Sequence, residues 1–247
     1  MNGTPRAASM AAVGDSITRA HAACGRGGDC VEASWATGSA EGLGSHRQRL
    51  GIDDPASVHN LAVSGARVAD LATQVRAAVE TRAQYVTVLV GANDACAAEE
   101  AAMTPVEEYA SAFGEALDAL VRDLPEAQVL VLSVPDLARL WEVGKDRPEV
   151  RRVWESSSIC PSMLAEAQDT SAGAQARRER VRARVQAYNE AMAAACDRHA
   201  GNCRHDGNAV FDHRFDLADV SPVDYWHPSS SGQATLARVA WEAGPWS

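Results

Sequence analysis

Four short apolar segments alternate with longer stretches in which apolar residues recur every three or four positions. Each short segment is rich in Val, Leu or Ala and ends at Gly, Ser or Pro, as buried strands of a parallel sheet do. The four segments lie at residues 8–13, 58–63, 85–90 and 128–134. The pattern therefore predicts four buried strands that run parallel to one another.

The stretches that follow the second and third strands predict crossover helices. Residues 68–82 have the apolar spacing of a helix, and residues 104–124 show the same spacing. The second of these opens with a predicted capping box, in which Thr104 and Glu107 flank Pro105 at the first helical position. Helices of this kind connect neighbouring parallel strands.

The second half of the chain continues this alternation. A long helix rich in Arg and Ala is predicted over 171–198, NAVF at 208–211 is a candidate fifth strand, and a last helix is predicted over 229–241. Alternating strands and helices predict an α/β fold, a three-layer α/β/α sandwich around a flavodoxin-like parallel sheet of about five strands. Because no linker or shift in composition divides the chain, we expect a single domain over 1–247.

Composition and charge exclude two classes of partner. The formal net charge is −10, which opposes binding to a polyanion, so no nucleic-acid partner is expected. No apolar stretch approaches the roughly 20 residues that span a bilayer, so stable membrane insertion is not expected either. The first ten residues lack the apolar core of a secretory signal.

Six cysteines make an even number, and four of them form two pairs that lie close in sequence. The segments within these close pairs contain Gly and can turn back, so each pair can close a small disulfide loop. The other two cysteines then form a third bridge or remain as buried free thiols. The bridges expected, with that alternative open, are Cys24–Cys30, Cys196–Cys203 and Cys96–Cys160.

The cysteines also bear on metal binding and on the compartment. No CxxC pair and no cluster of His and Cys occurs, so the spacing predicts no metal site. Disulfides form in oxidising compartments. We therefore expect a secreted protein whose signal peptide is absent from this numbering.

Polar residues follow three of the predicted strands. The tripeptide GDS at 14–16 follows the first strand, Gly65 follows the second, and GANDAC at 91–96 follows the third. In parallel α/β sheets, ligands bind beyond the carboxyl ends of the strands, where these residues lie. Taken alone, Ser16 is as well explained by a helix N-cap. A fourth motif, DYWH at 224–227, precedes the last predicted helix.

The residue types in these motifs suit nucleophilic catalysis. A serine hydroxyl becomes an effective nucleophile when a base takes its proton, and His227 is the candidate base for Ser16. Asp224, three residues earlier, can bind one imidazole nitrogen and leave the other free. We expect Asp15 to fix the turn rather than transfer protons. The structural alternative is that Asp224 and His227 form a surface capping pair.

The four motifs, in this order, resemble those of the SGNH (GDSL-type) hydrolases, and the resemblance extends from residue 8 to about 240. It implies the fold of that family and an acyl-enzyme on Ser16. It also assigns the oxyanion hole to the backbone N–H groups of Ser16 and Gly65 and to the side-chain amide of Asn93. The chain is most similar to secreted actinobacterial esterases and lipases, and this mechanism requires no metal or organic cofactor.

The substrate class remains open at this point. The hypotheses are a serine esterase or lipase acting on small-molecule, lipid or sugar esters, a carbohydrate O-deacetylase of the same family, and a catalytically silent binding module. A nucleotide-binding enzyme is disfavoured because no GxGxxG or GxxxxGK[ST] follows a predicted strand.

The segment 136–170, after the fourth strand, is an insertion that we expect to overhang the site. Trp141 and Trp154 within it either line a substrate pocket or pack the insertion onto the body of the protein. The histidines other than His227 have no acidic partner at a telling spacing, and the sequence assigns them no chemistry.

Overall fold

The structure, a computed structural model, describes residues 7–244, so the expected domain of 1–247 extends beyond the described residues at both ends. Five parallel strands form one sheet in the order β2-β1-β3-β4-β5. The strands are β1 (Met10–Gly14), β2 (Val58–Asn60), β3 (Tyr85–Leu89), β4 (Gln128–Val131) and β5 (Cys203–His205). The predicted α/β fold with a parallel sheet of about five strands is confirmed.

Helices cover both faces of this sheet. The helices α2, α4 and α8 pack side by side on one face. On the other face, the ring of His46 in α1 meets the ring of Trp241 in α10, with centroids 5.2 Å apart. The described helices are α1 (His46–Leu50), α2 (Leu71–Thr81), α3 (Ala92–Ala95), α4 (Val106–Asp123), α5 (Leu137–Gly144), α6 (Pro148–Ser157), α7 (Pro161–Leu164), α8 (Ala172–Asp197), α9 (Ala209–Asp212) and α10 (Ser230–Glu242).

The central strands are those that the apolar pattern identifies most clearly. Every residue of β1 and of β3 is buried, and the two strands pair in register from Met10 with Tyr85 to Gly14 with Leu89. A strand that is covered on both faces by helices requires apolar residues at successive positions, which is why both segments read as continuous apolar runs.

The predicted fifth strand was wrong. Residues 209–212 form the short helix α9, and the edge strand β5 lies a few residues earlier, where Cys203 pairs with Val129 of β4. The carboxylate of Asp206 accepts a hydrogen bond from the backbone N–H of Val210, which turns the chain into α9 immediately after the strand. Val210 is therefore buried through a helix rather than through the sheet.

The predicted capping box of the second crossover helix was also wrong. The helix α4 begins at Val106, and no side chain among the described residues caps its first turn. The hydroxyl of Thr104 donates instead to Oδ1 of Asp94, at 2.8 Å, and the backbone N–H of Thr104 donates to the Asp94 carbonyl. Through these two hydrogen bonds Thr104 ties the start of α4 to the loop after β3.

Three disulfides join the six cysteines, in the same pairs as those expected from the sequence. Cys24–Cys30 closes the loop after β1, and Cys196–Cys203 connects the end of α8 to β5. Cys96–Cys160 connects the end of α3 to the residue before α7. This third bridge joins the segment 136–170 to the loop that carries Asn93.

Candidate active site

The turn that carries Ser16 is held at both ends by glutamine side chains. Gly14, the last residue of β1, has a φ of +145°, and a Cβ there would lie 2.1 Å from a carbonyl oxygen of β3. The side-chain amide of Gln74 in α2 accepts from the Gly14 N–H at 2.7 Å and donates to the Gly14 carbonyl at 2.9 Å. The amide of Gln233 in α10 donates to the Ile17 carbonyl at 2.9 Å. Ser16 is thus fixed between two helices.

The DYWH motif forms a second fixed turn. Oδ1 of Asp224 accepts from the backbone N–H groups of Trp226 and His227, at 3.0 and 3.1 Å. Tyr225, between Asp224 and Trp226, has a left-handed φ of 50°. The indole N–H of Trp154, in α6, donates to the Tyr225 carbonyl at 2.8 Å. The segment 136–170 therefore helps to hold the turn that carries His227.

These two turns meet, and the structure brings Ser16, His227 and Asp224 into one hydrogen-bonded row. Nε2 of His227 lies 2.8 Å from Oγ of Ser16, and Nδ1 lies 2.7 Å from Oδ2 of Asp224. Burial opposes ionisation of Asp224, but the hydrogen bond and charge interaction with His227, together with the backbone N–H groups of Trp226 and His227, outweigh it and lower the pKa of Asp224. An ionised Asp224 can only accept, so Nδ1 carries the proton and Nε2 is free to accept the Ser16 hydroxyl.

The other two predicted site residues lie on neighbouring loops. Nδ2 of Asn93, in α3, donates to the carbonyl of Ala66 at 2.9 Å and so connects to the loop of Gly65. A side-chain amide has two N–H groups, so one remains for another acceptor. Gly65 is exposed, with a φ of +85°, and a Cβ there would meet no described atom within 4 Å. Among the described residues, the backbone N–H groups of Ser16 and Gly65 have no acceptor.

Two buried aspartates lie behind these loops. Oδ1 of Asp15 accepts from the Ile17 N–H at 2.9 Å, which fixes the turn as expected, whereas Oδ2 has no partner among the described residues. Burial raises the pKa of Asp15 to about 7. Asp94 accepts from the Val68 N–H at 3.0 Å, and burial raises its pKa as well. Asp94 therefore fixes the loop after β3, as a loop cap does.

A second histidine lies against His227. The rings of His21 and His227 have centroids 4.7 Å apart, and Nδ1 of His21 lies 3.0 Å from Oδ1 of Asp29. Asp29 also accepts from Arg19 at 2.9 Å and from the Ser64 hydroxyl at 2.6 Å. Burial acts to raise the pKa of Asp29, but these hydrogen bonds lower it to about 2. In the sequence His21 has no acidic partner at a telling spacing, but the folded loop brings Asp29, eight residues away, to its ring.

An apolar pocket opens among chain neighbours of Ser16, Asn93 and His227. Several lining residues are chain neighbours of Ser16, Asn93 and His227, and the opposite wall comes from α5 and from Phe215. The main apolar residues are Ile17, Ala92, Trp226, Leu137, Leu140 and Phe215. The pocket wall thus contains residues adjacent in the chain to Ser16, Asn93 and His227, but not these three residues themselves.

The two tryptophans singled out in the sequence do not line this pocket, as far as the described residues show. Trp154 is 2% exposed, and Trp141 donates to the Ala167 carbonyl while the Arg178 guanidinium lies over its ring at 4.4 Å. Both pack the segment 136–170 against its surroundings. The tryptophan in the pocket wall is Trp226, which the DYWH motif itself contains.

The sequence matches the model of the GDSL-like lipase/acylhydrolase family over residues 12–235. The chain belongs to this family. It is accordingly an ester hydrolase. A comparison with curated proteins found no match.

Solved structures resemble this GDSL-family hydrolase over nearly its full length. Phospholipase A1 from Streptomyces albidoflavus NA297 superposes with a TM-score of 0.58 at 16% identity, covering 96% of this chain and 100% of that one. An extracellular lipase from Streptomyces rimosus gives 0.51 at 18% identity, covering 95% and 99%. A family two carbohydrate esterase from Clostridium thermocellum gives 0.52 at 15% identity, covering 97% and 64%. At these identities the similarity establishes the fold.

No helix among residues 7–244 of this GDSL-family hydrolase has both the length and the apolar character needed to cross a bilayer.

Proposed function

We propose that this hydrolase is a serine esterase that forms an acyl-enzyme on Ser16. The observation that carries the proposal is the row of hydrogen bonds from Ser16 Oγ through His227 to Asp224, at 2.8 and 2.7 Å. His227 takes the hydroxyl proton as Oγ attacks the ester carbonyl, and the ionised Asp224 stabilises the imidazolium that forms. The same imidazolium then protonates the leaving alcohol, and His227 next activates the water that releases the acid.

The negative charge that develops on the carbonyl oxygen requires preorganised donors. The proposed donors are the backbone N–H groups of Ser16 and Gly65 and the second N–H of the Asn93 amide. The absence of described acceptors for the two backbone groups supports this role. The hydrogen bond between Asn93 and Ala66 fixes the amide beside the Gly65 loop, so the donors need no rearrangement as the charge forms.

The pocket favours an ester with an apolar acyl chain over an acetylated sugar. Its wall, which includes Leu137, Leu140 and Phe215, is predominantly apolar and begins at Ile17, next to the nucleophile. Each methylene buried there contributes about 0.8 kcal/mol, or about fourfold in kcat/KM. An acetyl group leaves this wall unused. We propose a lipase or medium-chain esterase, with the carbohydrate O-deacetylase as the alternative that the substrate panel below distinguishes.

We also propose that this hydrolase is a single domain and that it is secreted. The three disulfides support secretion, since such bridges persist in oxidising compartments. The Streptomyces rimosus structure, which is that of an extracellular lipase, has the same fold.

The role of the triad is tested by kinetics of Ser16→Ala and His227→Ala on p-nitrophenyl butyrate. Each variant should lose about 10³-fold or more in kcat, because the members of a triad act as a unit. Ser111→Ala, which removes an exposed hydroxyl on α4, is the matched control and should keep the wild-type rate. Near wild-type turnover by pure Ser16→Ala would remove Ser16 from the mechanism.

The role of the pocket is tested with p-nitrophenyl esters from acetyl to octanoyl. For the wild-type enzyme, kcat/KM should rise with the length of the acyl chain. Leu140→Trp should lower kcat/KM for the octanoyl ester, whereas kcat/KM for the acetyl ester, the internal control, should change little. Preference for acetyl esters, together with activity on acetylated sugars, would instead favour the deacetylase.

A further inference from the structure

Two histidines, each paired with its own carboxylate, lie against one another at the candidate active site. His227 is paired with Asp224 at 2.7 Å and His21 with Asp29 at 3.0 Å, and the ring centroids of the two histidines are 4.7 Å apart. The triad chemistry uses one of these pairs and leaves the other without a role. Loop residues carry the second pair, and the disulfide Cys24–Cys30 closes that loop.

We propose that His21, His227 and Asp224 bind one divalent zinc-type ion, and that this ion switches the enzyme off. One potential ligand atom from each of the three residues lies within 4.8 Å of the others. Two imidazole nitrogens and one carboxylate oxygen are a common ligand set of zinc sites, in which a water molecule occupies the fourth position. The ion is an inhibitor here, so the proposal adds no cofactor to the reaction.

The partner of His21 favours metal binding by this side chain. Asp29 holds Nδ1 of His21, so the lone pair of Nε2 is available as a ligand. Histidines that bind metals usually have a carboxylate or carbonyl on their other nitrogen, which fixes the ring and raises its basicity. Arg19 and Ser64 in turn hold Asp29, so the carboxylate is itself fixed.

The site can close around an ion with small side-chain rotations. Zinc binds nitrogen and oxygen ligands at about 2.0–2.2 Å, so the three ligand atoms must approach somewhat closer than they now lie. The side chains of His21 and His227 are 30% and 13% exposed, so neither ring is locked inside the core and an ion can reach both from solvent.

The ion inhibits the enzyme whether it binds Nε2 or Nδ1 of His227. If Nε2 binds, the imidazole can no longer accept the proton of Ser16, and the 2.8 Å contact between them is lost. If Nδ1 binds, its hydrogen bond to Asp224 is lost, and so is the support for the imidazolium. In both cases an intact protein loses its base.

The experiment uses zinc chloride in a buffer that does not bind metals, with two readouts on the full chain. Isothermal calorimetry measures zinc binding directly, and hydrolysis of p-nitrophenyl butyrate measures inhibition relative to the metal-free rate of each variant. His21→Asn removes the ligand but keeps a donor toward Asp29, and Asp29→Asn removes the carboxylate behind it. The matched control is His199→Asn, because His199 is also paired with a carboxylate, Asp118 at 2.7 Å, but lies before β5, at the other end of the sheet.

The wild-type protein and His199→Asn should bind one zinc ion and be inhibited reversibly, with activity restored by EDTA. In His21→Asn the zinc concentration for half-inhibition and the calorimetric Kd should rise about tenfold or more, and Asp29→Asn should show a rise of about 10–100-fold. Magnesium and calcium should not inhibit at the same concentrations, because these ions prefer sets of oxygen ligands.

Equal zinc affinity in wild type and His21→Asn would overturn the proposal, as would the absence of zinc binding to the wild-type protein or equal inhibition by magnesium. The inhibition readout rests on the proposed function, whereas calorimetry does not. A failure of the esterase proposal would appear as a metal-free wild-type protein without activity, and a failure of the zinc proposal as zinc binding that does not depend on His21.

Discussion

Replacing Asp15 by Asn should change the stability of the protein by an amount that depends strongly on pH. Asp15 is fully buried behind Ser16, and burial raises its pKa from 3.8 to about 7. At about 1.36 kcal/mol per pKa unit, ionisation of this carboxyl destabilises the folded state by about 4 kcal/mol once the pH exceeds 7. Asn keeps the oxygen that accepts from the Ile17 N–H and removes the charge.

The direction of the effect follows from proton linkage. Between pH 3.8 and about 7 the folded state binds more protons at Asp15 than the unfolded state, so the free energy of unfolding falls as pH rises through this window. The contribution of Asp15 is then about 1.5 kcal/mol of destabilisation at pH 5 and about 4 kcal/mol at pH 8.5. The new amide N–H of Asn meets no described partner and costs about 1–3 kcal/mol, but that cost is the same at both values of pH.

The measurement is urea unfolding followed by tryptophan fluorescence, with the disulfides intact, at pH 5 and at pH 8.5. We subtract the unfolding free energy of the wild type from that of Asp15→Asn at each pH. This difference should be about 2–3 kcal/mol more positive at pH 8.5 than at pH 5. Asp53→Asn, which changes an exposed carboxylate, is the control and should show no such difference. An Asp15→Asn effect of equal size at both values of pH would refute the argument, because it would mean that Asp15 carries no titrating charge in this window.

Two further predictions concern the loop after β3. Asn93→Ala should lower kcat by about 10²–10³-fold with little change in KM, because the amide donates to a charge that forms only in the transition state, and steady-state kinetics on the butyryl ester measure both quantities. A raised KM at unchanged kcat would make Asn93 a residue that positions substrate. The double variant Cys96→Ala/Cys160→Ala should lose about 2–4 kcal/mol of unfolding free energy in urea and part of its kcat, since the bridge joins the Asn93 loop to the segment 136–170. Alkylation of both thiols in the unreduced, denatured wild-type protein would show that no such bridge exists.

The sequence alone determined the four strands β1 to β4 and the order of the candidate catalytic motifs along the chain. The strands β1 and β3 are covered on both faces, so burial requires continuous apolar runs that are visible without a structure. The motifs at 14–16, 91–94 and 224–227 are likewise visible in the sequence, because each is an uninterrupted run of three or four residues. Features that depend only on neighbouring residues can therefore be predicted from the sequence.

The tertiary structure alone decided features that depend on partners far away in the chain. The strand β5 is three residues long, two of them polar, and exists because it pairs with β4, so no apolar run marks it. The hydroxyl of Thr104 donates to Asp94, ten residues earlier, because the fold places this buried carboxylate beside it.

The fixing of the nucleophile is also a long-range property. Gln74 lies 60 residues from Gly14, and Gln233 lies 216 residues from Ile17, yet their amides hold the two ends of the Ser16 turn. Hydrophobic periodicity predicts which face of a helix is buried, but it does not predict which polar group a buried amide will bind. Only the folded chain, by placing α2 and α10 on either side of β1, pairs each of these amides with its partner.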